Sequence, residues 1–410
     1  MEPPLSVDAP VVIVGGGPAG MVAGLLFARA GVRVTVLEKH ADFLRDFRGD
    51  TVHPSTLELF NEIGLLGELL KEPHAAIDTM TLNLLGQRYT IATMKHLPVA
   101  ARFVAMMPQW DLLDFIAGQG RRYPTFDLRM STEATGLTCD DTGRVSGVTL
   151  ASGETLPARL VIAADGRRSV LRDAAELPLE DLGAPMDVLW FRVPVPAGMD
   201  MSEVALGTID KGGMVVAIPR GDYWQCAQII EKGGFAPIEA RGIAVFRDRI
   251  VAIAPGLAAG IDAIRSFADV KLLSVALDRL TRWSRPGLLA IGDAAHAMSP
   301  VGGVGINLAV QDAVAAANIL AAPLAAGADP DPLLARVQER RWKPTIRMQG
   351  LQRFAHRRVI EPMLLGQITR VPFAVRLLDT IPLLRRIPGR ILGLGFGRQH
   401  VQSPLAKEFS

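Results

Sequence analysis

The chain has 410 residues, of which 49% are hydrophobic and 21% charged. That is enough for two or three domains at about 150 residues each, and the mix excludes disorder as the main state. Its 44 basic and 42 acidic residues leave a formal net charge of +2, which gives no whole-chain electrostatic footprint for nucleic acid. Two cysteines, Cys139 and Cys226, exclude a disulfide framework or a thiolate metal cluster, and the seven histidines show no ligand spacing.

Residues 1–10 carry no basic n-region and contain three prolines, so no secretory signal is visible and the expectation is a reducing cytoplasm. Residues 11–28 are uncharged for 18 positions, but the insert Gly15-Gly16-Gly17-Pro18-Ala19-Gly20 divides that run into a strand and a helix. Val11–Val14 has the β-branched composition of a buried parallel strand. Pro18 suits a first helical turn, where its missing N–H has no intrahelical partner. Gly31 ends the helix, a second strand follows to Leu37, and Glu38 stands at its carboxyl end.

This βαβ unit carries Gly15-x-Gly17-x-x-Gly20. Gly15 permits the turn, Gly17 lets backbone approach a pyrophosphate, and Gly20 lets helix and strand pack closely. The helix N-terminus offers unpaired N–H groups to phosphates, and Glu38 can accept from ribose hydroxyls. The motif predicts dinucleotide binding but does not separate FAD from NAD. Arg48 follows, read either as a solvated charge or as a phosphate clamp. Ser55 and Glu58 predict a capping box at the start of the next helix.

Leu160–Ala164 is another buried strand, ending in Asp165-Gly166 with Arg167 and Arg168 behind it. Leu288–Ile291 is a third, ending in Gly292-Asp293. The segment Pro300–Asn307 is rich in glycine and leads into an Ala-rich helix that the pattern runs to about Ala322, where Pro323 stops it.

With these three motifs in order, the chain resembles the single-component flavoprotein monooxygenases of the p-hydroxybenzoate hydroxylase fold, over residues 11 to about 322. The resemblance implies FAD, with NAD(P)H as a transient electron donor. It implies an α/β (mixed α+β) architecture: a Rossmann-like FAD-binding domain, an interrupting antiparallel-sheet substrate domain and C-terminal helices. The expected boundaries are 1–72, 109–184 and 285–328 for the FAD domain, 73–108 and 185–284 for the sheet domain, and 329–410 for the helical segment. By the resemblance Asp293 bonds the ribityl chain, Arg48 and Gln109 contact the cofactor, and Pro300–Asn307 lies along the isoalloxazine. The candidate cofactor residues are Gly15, Gly17, Pro18, Ala19, Gly20, Glu38, Lys39, Arg48, Gln109, Asp165, Gly166, Gly292, Asp293, Gly303, Val304, Gly305, Ile306 and Asn307. The glycines at 302, 303 and 305 leave N–H groups facing the ring, and the following helix aims its positive end there.

The sheet stretches contain β-rich runs at Thr79–Leu85, Asp187–Val195, Met214–Ile218 and Tyr223–Ile230, and Ala236–Ala254 reads as one helix. Trp190, Arg192, Met214, Tyr223 and Gln225 are the candidate substrate residues, each also readable as core or surface. The expected activity is hydroxylation of an electron-rich aromatic or similar hydrophobic small molecule with O₂, through a C4a-hydroperoxyflavin. Water must be kept from the site. Pro300, beside the ring, and His53, as base for a phenol, are the catalytic candidates. Two other readings stay open: a flavin reductase or dehydrogenase on a lipid or isoprenoid, and a non-catalytic FAD-bound redox sensor. From Leu351 to Arg398 nine arginines meet two acids, a pattern that fits either a solvated helical cap or peripheral contact with an anionic membrane. Monomer and homodimer are equally compatible with the pattern.

Overall fold

A computed structural model describes residues 9–44, 51–199 and 206–406. The three apolar runs become adjacent parallel strands. Val11–Val14 pairs with Val34–Leu37 on one side and with Leu160–Ala163 on the other, and Leu160–Ala163 pairs with Leu288–Ala290. Phe126–Arg129 and Ser284–Arg285 complete a six-stranded sheet, with Ser284–Arg285 antiparallel at one edge. The strands Val11–Val14, Leu160–Ala163 and Leu288–Ala290 are apolar throughout because both faces are covered, whereas the outer strands carry Asp127, Arg129 and Arg285. Val14 lies opposite Ala163, and Ala163 opposite Ala290. The chain therefore leaves all three strands at the same edge, which is where open α/β sheets bind ligands.

Helix Pro18–Arg29 packs against Gly305–Ala325 over this sheet. The segment Val301–Ala325 is apolar and long enough to cross a membrane, yet most of it is buried inside the protein; it is a core helix. It passes Pro323 and ends at Ala325, three residues beyond the expected stop. The missing N–H falls in the last turn, where one lost bond is tolerated, and the amides of Ala326 and Ala328 bond the carbonyls of Ala322 and Pro323. The capping box at Ser55 does not form. Pro54 takes the first helical position, which makes His53 the N-cap, and Glu58 instead accepts from the Ala100 amide at 2.8 Å.

The two interrupting stretches build one seven-stranded sheet. Its order is Lys271–Leu273, Met186–Pro194, Tyr223–Glu231, Gly213–Pro219, Gly207–Asp210, Thr79–Leu84, Gln87–Thr93. Pairing is antiparallel except where Gly207–Asp210 meets Thr79–Leu84 in parallel and joins the stretches. Period two splits the apolar residues between faces. Leu189, Phe191, Trp224 and Cys226 pack under helix Ile243–Ile253. Val188, Trp190, Ala227 and Ile229 cluster on the other face with Met94, Leu97 and Met106. The single helix expected over Ala236–Ala254 is two, Phe235–Ala240 and Ile243–Ile253, because Gly242 takes a φ of +87° between them.

Beyond residue 328 the chain does not sit apart. Helix Asp331–Ala355 places Leu334 and Val337 in the core beneath the six-stranded sheet. Asp331 forms a two-pronged pair with Arg144, at 2.8 and 3.0 Å. Helices Phe373–Thr380 and Arg386–Leu394 lie on the edge strand Gln87–Thr93, where Asp379 accepts from the Thr90 amide at 2.8 Å.

Candidate active site

The strand ends bring the three motifs together. Gly15 has a φ of +110°, and a Cβ there would collide with the carbonyl oxygen of Ala164, the residue before Asp165. A Cβ on Gly20 would collide with the Gly15 carbonyl, so helix and loop touch. Gly17 differs: a Cβ would meet nothing within 4 Å. Its hydrogen is demanded by no neighbour among the described residues, which leaves room over the helix start. Gly17 is the N-cap of Pro18–Arg29 and provides no side-chain cap, so that helix presents its first N–H groups bare. Glu38 closes over the loop, accepting from the Gly16 amide at 3.0 Å and from the His40 amide at 3.0 Å. Lys39 points elsewhere, 4.0 Å from Glu133 on the surface.

Asp165 works inward. It accepts from Ser169 Oγ at 2.5 Å and from the Leu171 amide at 3.3 Å, and burial raises its pKa against the pull of those bonds. Its carboxylate organises the turn at Gly166, whose φ is +87°, rather than reaching for a ligand. Arg167 crosses to the third motif and pairs with Asp293 at 3.0 Å through Nε. Its Nη1 is buried with no hydrogen-bond partner among the described residues. A half-buried arginine with one unsatisfied donor, set between the Asp-Gly and Gly-Asp turns, fits an anionic or hydroxyl-rich ligand. Arg168 is exposed. Gln109 starts helix Gln109–Gly120 and is half-buried. Arg48 lies outside the described residues.

At the far end, Val301–Gly303 forms a single 3₁₀ turn after Pro300, with the Gly303 amide on the Pro300 carbonyl at 3.0 Å. Gly302 and Gly303 have φ of +82° and +63°, and a Cβ on Gly303 would collide with the Thr51 hydroxyl. Helix Gly305–Ala325 again begins without a side-chain cap, at Val304. Val304 itself is buried against Met298, Leu308 and Met348, and Ile306 is half-buried against the main core. Asn307 does not offer its side chain to a cofactor. Its Oδ1 accepts from the His53 amide at 2.9 Å and Thr56 Oγ1 at 2.7 Å, and its Nδ2 donates to the carbonyls of Thr51 and Gly303 at 3.2 Å each. It latches the loop to residues 51–56.

The surroundings of His53 make it a weak base for a phenol, although its Nε2 has no hydrogen-bond partner among the described residues. It is buried, and its Nδ1 lies 2.6 Å from the Leu392 carbonyl, which only accepts, so the proton sits on Nδ1. Burial outweighs that bond and lowers its pKa to about 4. Moving a proton from a phenol of pKa ~10 onto such a group is uphill by about 8 kcal/mol.

The five substrate candidates share one sheet face by register, since Trp190 pairs Ala227, Arg192 pairs Gln225 and Met214 pairs Ile229. Trp190 is buried in the cluster with Met94, Leu97 and Met106, and Val301 from the glycine-rich loop packs against the same cluster. Met214 borders it. Gln225 is buried but donates to the Phe191 carbonyl at 3.2 Å. Arg192 and Tyr223 sit at the rim, the guanidinium 5.1 Å from the ring centroid.

Sequence reasoning missed a buried ionic cluster behind the third motif. Asp312, His296 and Arg341 are at most 1% exposed. The signal was present: Asp312 is the one charge in the 21 residues of Gly305–Ala325, and a lone acid in an apolar helix must find a partner when buried.

The FAD binding domain family matches residues 8–348. The chain is 32% identical over 408 residues to the 6-methylpretetramide 4-monooxygenase of Streptomyces rimosus, covering 97% of this chain and 95% of that one. It is 28% identical over 311 residues to a rifampicin monooxygenase of Streptomyces venezuelae, covering 74% of this chain and 62% of that one. In fold it is similar to PqsL of Pseudomonas aeruginosa, solved in complex with 2-aminobenzoylacetate: TM-score 0.74 at 21% identity, covering 88% of this chain and all of that one.

Proposed function

The chain belongs to the FAD binding domain family, as an FAD-dependent monooxygenase of the p-hydroxybenzoate hydroxylase fold, and from that premise we propose which of its residues do the work and on what kind of substrate. Bound FAD supplies electron transfer from NAD(P)H and the activation of O₂. The chain supplies binding, orientation and dryness. Gly15, Gly17 and Gly20 shape the pyrophosphate cradle and Glu38 closes it over the adenosine. Asp293 and Arg167 receive the ribityl end. The bare start of Gly305–Ala325 sets positive potential at the ring, where negative charge develops on reduction.

The substrate we propose is an extended, largely apolar aromatic of the polyketide kind, the class to which the name of the Streptomyces rimosus relative points. The observation that supports this is the continuous apolar cluster from the sheet face at Trp190 to Val301 of the glycine-rich loop. An apolar face of this kind would bind fused rings by area and keep water from the reacting atoms. A panel running from 6-methylpretetramide to single-ring phenols such as p-nitrophenol tests it. NAD(P)H oxidation is recorded beside peroxide release. Tight coupling is expected for the fused-ring compounds, and better coupling with p-nitrophenol overturns the assignment.

We also propose that the C-terminal helices touch an anionic membrane surface. Phe373, Leu383 and Ile387 are 77%, 63% and 60% exposed, and Arg370, Arg376, Arg386 and Arg390 stand exposed around them. Residues 351–398 hold nine arginines and two acids, which leaves 35 basic and 40 acidic residues elsewhere; the cation excess is local. Cutting the chain at 328 is no test, because Leu334 and Val337 belong to the core. Full-length protein should sediment with phosphatidylglycerol vesicles but not phosphatidylcholine, and Phe373→Glu/Ile387→Glu should stay in solution. No sedimentation of the wild type rejects the contact.

A further inference from the structure

Asp312 lies one layer behind the cofactor residues. Its Oδ2 accepts from the Gly292 amide at 3.1 Å and from His296 Nε2 at 2.6 Å, and its Oδ1 accepts from Arg341 Nε at 2.7 Å. Arg341 goes on to the Gly397 carbonyl at 3.2 Å. Residues 292–296 and Arg341 thus meet on the Asp312 carboxylate, and Arg341 ties in the segment at Gly397. Burial alone would push the Asp312 carboxyl up, but His296 and Arg341 outweigh it and hold it below the ordinary carboxylate range. Gly292 has a φ of +60°, and a Cβ there would lie 2.9 Å from Ala19 Cβ. The turn is therefore pinned from two sides, by Asp312 through its amide and by the fingerprint helix against its α-carbon.

The residue after this turn is Asp293. We infer that Asp312 is a positioning residue for FAD binding: by holding the Gly292 amide it fixes the direction in which Asp293 leaves the sheet, and Arg341 keeps Asp312 ionised in the core so that the amide bond is charge-assisted. His296 locks the second lone pair of the same oxygen. This rests on the reading of Asp293 as the ribityl anchor. It assigns a cofactor role to three side chains that touch no cofactor.

The measurement is FAD affinity, read by titrating FAD onto apoprotein and following flavin fluorescence. Four proteins are compared: wild type, Asp293→Ala, Asp312→Asn and the double variant. Asp312→Asn keeps the shape and the acceptor while removing the charge. It should weaken FAD binding about tenfold, and that loss should vanish in the Asp293→Ala background, because a residue that acts only through another has nothing left to position. Val337→Ala, a change in the same core away from the turn, should lower the melting temperature and leave FAD affinity unchanged in either background. Wild-type affinity in Asp312→Asn, or losses that simply add in the double variant, overturns the inference. Should Asp312→Asn fail to fold, His296→Gln enters the same cycle with the same expectation. If Asp293→Ala binds FAD normally, the ribityl reading falls and this inference with it. If Asp293→Ala is weak while Asp312→Asn and His296→Gln are normal, only this inference falls.

Discussion

The strand-end edge proposed to hold FAD and the sheet face proposed to meet the substrate are built on different principles. At the edge, position is set by backbone and by buried polar bonds: Gly15 against Ala164, Glu38 on the Gly16 amide, Arg167 on Asp293, Asp312 on the Gly292 amide. On the sheet face, position is set by apolar packing around Trp190 with few polar contacts. The first kind tolerates almost no substitution, since each hydrogen or lone pair has one use. The second tolerates changes of shape, as cores tolerate volume-conserving swaps. A family that keeps one cofactor and changes substrates needs that division.

The sharpest way to break the contrast lies within the glycine loop. Gly15→Ala should abolish yellow protein and destabilise the apoprotein by more than about 3 kcal/mol, because it combines strain at positive φ with a backbone collision. Gly17→Ala should leave apoprotein melting unchanged while weakening FAD by on the order of 1.5–3 kcal/mol, the worth of hydrogen bonds to a charged group. Calorimetry on both apoproteins beside FAD titration distinguishes them; equal melting temperatures would show that the loop is not rigid in the way described. Trp190→Phe sharpens the other side. Trp190 Nε1 is buried without a hydrogen-bond partner among the described residues, a state that costs about 1–3 kcal/mol unless something accepts from it. FAD affinity and melting temperature should hold, while KM for a substrate bearing a carbonyl or phenol oxygen rises about tenfold. An unchanged KM would mean the donor serves no ligand.

The smallest effect is in pH dependence. His53 titrates near 4 when folded and near 6.5 when unfolded, so the unfolded chain takes up the proton first. Stability should fall as pH drops from about 6.5 to about 4, by roughly 3 kcal/mol in all, and level off below. Urea midpoints across that range should show the slope, and His53→Gln should flatten it while lowering the whole curve for want of the Leu392 bond.

Much of the cofactor edge was legible because its requirements are local. A glycine forced to φ of +110° and an acid at a strand end leave marks in sequence that no packing alternative imitates. Four of the seven strands of the second sheet were legible as well, but not Gln87–Thr93, Gly207–Asp210 or Lys271–Leu273; the face shared by Trp190 and Arg192 was legible, since period two fixes it. What each side chain on that face does was not, because a face is a direction and contacts depend on distant chain. The same holds for His53, whose fate was settled by Leu392, 339 positions away. Asn307 was assigned to the cofactor by its place in a motif, but Thr51 and Thr56 claim its amide. Pro54 decided the helix start over Ser55, a competition between two local signals in which ring geometry won.

Residues 397–406 stitch the cofactor half shut: Gly397 holds Arg341, His400 and the Val401 amide hold Glu62, and the Ala406 amide bonds the Arg29 carbonyl. During synthesis the βαβ unit emerges ahead of this segment and waits more than 370 positions for it. Until it arrives, the Ala-rich helix and its acid lack part of their cover, and the nascent protein is exposed to proteases and chaperones. The cofactor half is therefore closed late in the folding of each molecule, and added FAD during expression is expected to raise the yield of folded protein.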